Sequence, residues 1–216
     1  MSRVLTDFHS HILPGLDDGA PGLQEALGMA RQASRLGFRR IVATPHYEVR
    51  FYENRRPEIR QKVDELNELL RQESIELEIL PGAEIMLDPA IPALLERKEL
   101  MTMEDKEQNI LVELPFFSRP IWLDEVVYRI QLLGLTPIVA HPERYEWLNK
   151  SEEEIAQLQR LGLEFQCNLS SMVGKYGARV KEKALYIKNQ QLVKYWGSDA
   201  HSVRGYEILS RELIAV

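Results

Sequence analysis

One cysteine, Cys167, stands among the 216 residues. No disulfide can form within the chain, a pattern expected of a protein kept in a reducing compartment, with the cytoplasm as its default location. Surplus positive charge is missing too: 27 Lys and Arg face 33 Asp and Glu, for a formal net charge of −6. Proteins that grip nucleic acid or anionic membranes neutralise phosphates with excess cations, so this balance excludes a general binder of either kind. Any recognition of phosphate must be local. No apolar run approaches the ~20 residues of a spanning helix, and the first residues reach His9 and His11 without a stretch suited to a signal peptide. The expectation is a chain that does not insert into a membrane. It has no low-complexity segment, linker or internal repeat either, so residues 1–216 read as a single domain around one core.

What is present is alternation. Short apolar runs predict strands at Val4 to Phe8, Arg40 to Thr44, Leu77 to Pro81, Asn109 to Leu114, Thr136 to Ala140, Leu163 to Asn168 and Val193 to Gly197. Amphipathic stretches between them predict helices at Leu23 to Leu36, Pro57 to Gln72, Pro89 to Arg97, Leu123 to Leu133, Ser151 to Leu161, Val180 to Asn189 and Tyr206 to Leu213. Gly37, Gly134 and Gly162 each follow a helix and precede a strand, where a left-handed cap is needed. Ser151 and Glu154 have the spacing of a capping box. About seven β-α repeats in one α/β domain point to a closed or nearly closed barrel, with a doubly wound open sheet as the alternative.

All five histidines fall at or just past the end of an expected strand: His9, His11, His46, His141 and His201. In parallel β-α folds that end of the sheet gathers distant sequence positions at one mouth. In His9-Ser10-His11 the period of two puts both imidazoles on one face, a ready chelate for a divalent metal. Asp199-Ala200-His201 repeats the arrangement with a carboxylate, and Glu84 follows a strand through Gly82-Ala83. Glu113 lies inside the apolar run Ile110 to Leu114, where an unpaired carboxylate costs several kcal/mol and so demands a partner. Asp18 reads as an oxygen ligand, and Asp17 equally as a ligand or a turn residue. His46 or His141 taken singly reads as a hydrogen-bonded core histidine, but five together point to metal.

Six blocks in order carry a resemblance over almost the whole chain. They are residues 7–19 (DFHSHILPGLDDG), Ala43-Thr44-Pro45-His46, residues 81–85 (PGAEI), Val112-Glu113, residues 139–145 (VAHPERY) and Ser198-Asp199-Ala200-His201. In these the sequence resembles the bacterial protein tyrosine phosphatases of the polymerase-and-histidinol-phosphatase (PHP) superfamily, the group associated with capsule and exopolysaccharide synthesis. The resemblance implies a distorted, TIM-like barrel of seven β-α units. It also implies three divalent metal ions, manganese first, with iron, cobalt or zinc as alternatives. Carried onto this chain, it implies that His9, His11, Glu84 and Asp199 hold one metal, that Glu84 bridges to a second held by Glu113 and His141, and that Asp18, His46 and His201 hold the third. Arg144, His201 and Arg204 are the implied catalytic groups. A further helix beyond the last block is expected to be short.

Three divalent ions would turn four clustered carboxylates from about −4 to about +2, a natural seat for a phosphomonoester dianion. The implied reaction is hydrolysis of protein phosphotyrosine by a metal-activated hydroxide, with a bacterial tyrosine kinase of polysaccharide synthesis as the implied substrate partner. A cysteine-based mechanism is excluded by spacing, because it needs an arginine six positions past the cysteine and Val173 stands there. Two other readings stay open: a phosphatase for a small metabolite such as histidinol phosphate, and a regulatory module without turnover. The segment Tyr47 to Arg56 mixes aromatics with arginines and reads either as a grip for a phosphotyrosine peptide or as a solvated loop. Phe116 and Phe117 read either as lining for the same mouth or as packing.

Overall fold

The structure is a computed structural model describing residues 5–149 and 152–209. In chain order the elements are β1 (Thr6–Ser10), α1 (Leu23–Leu36), β2 (Arg40–Ala43), β3 (His46–Glu48), β4 (Tyr52–Glu53), α2 (Arg56–Gln72), β5 (Glu78–Pro81), β6 (Glu84–Met86) and α3 (Ile91–Glu96). They continue with β7 (Asn109–Glu113), α4 (Leu123–Leu132), β8 (Thr136–Ala140), α5 (Glu152–Arg160), β9 (Glu164–Asn168), α6 (Leu169–Met172), α7 (Ala178–Asn189), β10 (Val193–Gly197) and α8 (Val203–Glu207).

The helices form where apolar residues recur at helical spacing. In α1 the buried residues are Ala26, Met29, Ala30 and Ala33, and in α2 they are Ile59, Val63, Leu66 and Leu70, one stripe each facing the sheet. All three predicted glycine caps are left-handed, with φ of 110° at Gly37, 78° at Gly134 and 77° at Gly162. At the first, Phe38 N–H donates to Ala33 O and Gly37 N–H to Ser34 O, the paired bonds of a Schellman ending. The central strands β7 and β8 are buried on both faces, which is why their sequences are nearly continuous apolar runs.

Among the described residues, backbone pairing gives a parallel sheet in the order β1-β2-β5 and a second in the order β10-β9-β8-β7-β6-β3-β4, in which the β3/β4 hairpin alone is antiparallel. These are parts of one circuit. β2 is interrupted at Thr44-Pro45 and resumes as β3, while β5 is interrupted at Gly82-Ala83 and resumes as β6. The pairs Ala43 with Pro81 and His46 with Glu84 keep one register across the break, and Glu84 N–H donates to Pro45 O at 3.1 Å within it. Past β10 the chain meets the end of β1: Asp199 N–H donates to His9 O at 2.8 Å and His11 N–H to Ala200 O at 3.0 Å. The strands thus follow one another around seven positions, consistent with the distorted barrel and not with an open doubly wound sheet.

Glycine is required where this circuit closes, because a Cβ on Gly197 would lie 2.4 Å from the His9 Cβ. Beneath the junction a buried carboxylate ties the two strand ends together. Asp7 accepts from His9 N–H at 3.2 Å, Ser198 N–H at 2.8 Å and the Tyr206 hydroxyl at 2.8 Å.

Several expectations need correction. β1 runs two residues later than predicted, so His9 lies within it. His46 and Glu84 do not trail strands but open the new strands β3 and β6, each too short to show a period in sequence. The final helix begins at Val203, ahead of the expected Tyr206. The Ser151 cap and residues 210–213 lie outside the described residues. Among the described residues no helix is long and apolar enough to cross a membrane.

Candidate metal centre

The strand circuit delivers the predicted side chains to one end of the barrel, and they converge on Glu84. Its Oε2 lies 3.0 Å from His9 Nε2, 3.3 Å from His11 Nε2 and 3.3 Å from His46 Nδ1, while its Oε1 lies 2.8 Å from His141 Nε2. On one side Asp199 Oδ1 lies 3.6 Å from His9 Nε2 and 3.5 Å from His11 Nε2. On another, Glu113 Oε1 lies 3.6 Å from His141 Nε2. At the open edge Asp18 Oδ1 stands 3.6 Å from His46 Nε2 and 3.4 Å from His201 Nε2.

Among the described residues, three groups offer ligand atoms that all lie within 4.8 Å of one another: His11, Asp18, His46 and His201; His9, His11 and Glu84; His46, Glu84 and Glu113. Glu84 is shared by two of these groups, as expected of a bridging ligand; His11 and His46 are shared as well, and His46 stands with Glu84 and Glu113 where His141 was expected.

The imidazole tautomers follow from a relay that sequence reading missed. Asp199 Oδ2 accepts from Asn168 Nδ2 at 2.7 Å, so Asn168 Oδ1 is free to accept Gln166 Nε2 at 2.9 Å, and Gln166 Oε1 then accepts the His9 Nδ1 proton at 2.7 Å. Starting from a carboxylate that can only accept, each amide is oriented in turn. His11 Nδ1 likewise donates to Asp17 Oδ2 at 2.7 Å, and His201 Nδ1 to the Asp199 carbonyl at 3.2 Å. In the neutral rings the Nε2 lone pairs of His9, His11 and His201 consequently point at carboxylate oxygens. Acceptor then faces acceptor, an arrangement that calls for cations between them, and the donor set of imidazole nitrogens and carboxylates suits divalent transition metals.

Asp17 is thus an orienting residue as well as a turn residue, since its other oxygen accepts Gly19 N–H at 2.9 Å. Gln166 and Asn168 did carry a signal. They alternate with Phe165 and Cys167 along β9, and two buried amides on the inward face of a strand need partners there.

Arg144 Nη1 donates to Asp199 Oδ2 at 2.8 Å, which brings its guanidinium to the centre. Arg204 is exposed on α8, and among the described residues it makes no hydrogen bond or ion pair with the site. Its neighbours Gly205 and Tyr206 on the same helix are buried. Cys167 is buried, and its thiol is pushed well up by burial and the Glu143 carboxylate, so it behaves as core. The segment Tyr47 to Arg56 is the β3/β4 hairpin and not a free loop. Of its three arginines, Arg55 pairs with Glu53 and Glu99 and Arg56 with Asp105 and Glu107, so these two are engaged within the chain, while Arg50 is exposed. Tyr52 stacks on His46 with ring centroids 5.9 Å apart, and Phe116 stacks on His141 at 5.9 Å, whereas Phe117 is exposed.

Residues 5–207 match the family described as capsular polysaccharide synthesis, CpsB/CapC. The chain belongs to the CpsB/CapC family. It is 34% identical over 212 residues to the tyrosine-protein phosphatase YwqE of Bacillus subtilis, a match covering 98% of this chain and 83% of that protein. Over 222 residues it is 28% identical to the tyrosine-protein phosphatase CpsB of Streptococcus pneumoniae, covering 96% and 90% respectively. A solved chain from the crystal structures of YwqE from Bacillus subtilis and CpsB from Streptococcus pneumoniae, described as unique metal-dependent tyrosine phosphatases, matches with a TM-score of 0.88. Its identity is 35%, over 93% of this chain and 81% of that one.

The electrostatics of this CpsB/CapC centre favour added positive charge. Burial pushes Glu113 up to about 9, with the Glu84 carboxylate next in importance. Burial would lower His9, but Glu84 and Asp199 outweigh it and raise it to about 9. Against the same burial, His9 holds Glu84 well below the usual carboxylate range, as it does Asp199. Asp17 falls to about 2, its burial overcome by the His11 hydrogen bond and charge. Glu84, Asp199 and Asp17 are made tolerable by the neighbouring imidazolium rings, whereas Glu113, buried beside the Glu84 carboxylate, is driven toward its protonated form, the two ways in which a buried carboxyl avoids an uncompensated charge.

Proposed function

We propose that the chain is a metal-dependent protein tyrosine phosphatase in which His9, His11, Asp18, His46, Glu84, Glu113, His141, Asp199 and His201 hold three divalent ions, manganese first. The carrying observation is the set of Nε2 lone pairs aimed at carboxylate oxygens around Glu84. When bound, divalent ions supply Lewis acidity that neutralises phosphoryl oxygens and makes a nucleophile available from water near neutral pH. The chain's own residues do the rest. Gln166 and Asp17 keep the His9 and His11 protons on Nδ1, Asp199 and Asn168 lock the relay, and Arg144 offers guanidinium N–H groups to the phosphoryl oxygens of the bound ester, contacts that persist in the transition state. No cysteine takes part. The family match and the tyrosine phosphatases among the relatives support this substrate class. A bacterial tyrosine kinase of polysaccharide synthesis, acting in the cytoplasm, fits as the phosphotyrosine substrate, and the chain fits a single domain of this kind.

Purified protein stripped with chelator and assayed on a phosphotyrosine peptide and on histidinol phosphate tests the reading. Hydrolysis of the peptide should vanish with chelation and return with manganese. Undiminished activity in chelator would end the metal assignment, and a higher kcat/KM for histidinol phosphate would end the protein-substrate assignment.

A further inference from the structure

Arg144 reaches the metal centre from the tight turn Pro142–Arg144 that follows β8. Its side chain is about a quarter exposed, at 26%, and Nη1 on Asp199 is the guanidinium hydrogen bond recorded among the described residues. A long side chain held at one atom would wander, yet two aromatic rings also meet this one. The guanidinium carbon lies 5.1 Å from the centroid of Phe116, in the loop after β7, and 4.6 Å from that of Tyr176, in the connection between α6 and α7. Both distances are within the range of cation–π attraction.

The two rings differ in what else they do. Phe116 also packs on His141 at 5.9 Å and on Tyr145 at 5.3 Å, so it belongs to the packing of a candidate ligand. The ring contacts of Tyr176 among the described residues are with cations alone, Arg144 and the Lys175 ammonium at 5.0 Å. Nothing in the sequence reading gave Tyr176 a role.

We infer that Tyr176 is a positioning residue that holds the Arg144 guanidinium ready for the phosphoryl group and so sets the affinity for phosphate monoesters. The inference rests on the proposed phosphatase reading. The physical basis is entropy: a free arginine side chain populates many rotamers and loses that freedom when its guanidinium is fixed. A ring face that restrains it beforehand spares part of that loss when the anion binds. The hydroxyl of Tyr176 contributes nothing to this, because the ring face supplies the attraction.

The test uses the full chain loaded with manganese, a phosphotyrosine peptide as substrate, and calorimetric binding of inorganic phosphate as a readout besides turnover. Tyr176→Ala should raise KM and weaken phosphate binding together by about 2- to 30-fold, with kcat moving less. Tyr176→Phe should restore both to within about twofold. In an Arg144→Ala background, Tyr176→Ala should add nothing, as required of residues that act through one another. Wild-type phosphate affinity in Tyr176→Ala, failure of the Phe variant to restore it, or an undiminished effect in the Arg144→Ala background would each overturn the inference while leaving the phosphatase reading standing. Absence of peptide hydrolysis in the loaded wild-type protein would remove both.

Discussion

Replacing Gln166 with leucine keeps most of the side-chain volume and removes the acceptor that holds the His9 proton on Nδ1. His9 is fully buried and its Nδ1 to Gln166 Oε1 distance is 2.7 Å, so an N–H left without a partner there costs about 1–3 kcal/mol. The ring can escape that cost by moving the proton to Nε2, where Glu84 Oε2 waits at 3.0 Å as an acceptor. That escape consumes the lone pair that would bind metal. The same change takes an acceptor from the His141 backbone N–H, at 3.3 Å, and a donor from Asn168 Oδ1, at 2.9 Å. Loss of such an orienting partner typically weakens metal affinity by about 10- to 100-fold, equivalent to ~1.4–2.7 kcal/mol. The assay is manganese titration of chelator-stripped protein, read by hydrolysis of a phosphotyrosine peptide and by metal content. The midpoint should move up by one to two decades, about 10- to 100-fold, and saturating manganese should restore most of kcat. A midpoint equal to wild type would refute the relay, and so would a folded variant whose lost activity no concentration of manganese restores.

Acid stability offers a second check. Asp17 titrates near 2 in the folded chain against an ordinary 3.8, so its contribution of ~2 kcal/mol is complete above about pH 4 and fades as pH falls toward 2. In chelator-stripped protein the stability gap between wild type and Asp17→Asn, measured by urea unfolding, should narrow across that interval; a gap independent of pH would show that the His11 pair is not its source. Substitution of His141 needs a residue that tolerates its left-handed backbone, with φ of 32°, which recommends asparagine. His141→Asn should retain the circular-dichroism signature of the fold and lose about 100-fold or more of turnover; normal turnover would remove His141 from the centre.

Legibility of the fold tracked the range over which a physical signal acts. The α1 stripe, the Gly37 ending and the buried runs of β7 and β8 are set by neighbours a few residues away, and the sequence pattern predicts each of them. β3 and β6 escaped because three residues cannot display a period, and their pairing depends on the register already set by β2 and β5. Within the site, His9 and His11 were readable as a pair since strand alternation alone puts them on one face. Glu113 was readable as a carboxylate in need of a partner, though not which partner. Arg204 was named from a motif offset, which says nothing about the direction in which a helix turns its side chains, and on α8 it is exposed.

The chain by itself determined the repeating β-α order, the chemistry of the ligand types and the exclusion of cysteine catalysis, because composition, local period and spacing suffice for these. Only the tertiary structure decided that one carboxylate, Glu84, meets four imidazoles, that Gln166 and Asn168 hold the proton inventory, and that Tyr176 faces Arg144. Those partners are separated by tens to more than a hundred positions in sequence. What brings them within 3–5 Å is strand register and barrel closure, properties of the assembled backbone and not of any segment of it.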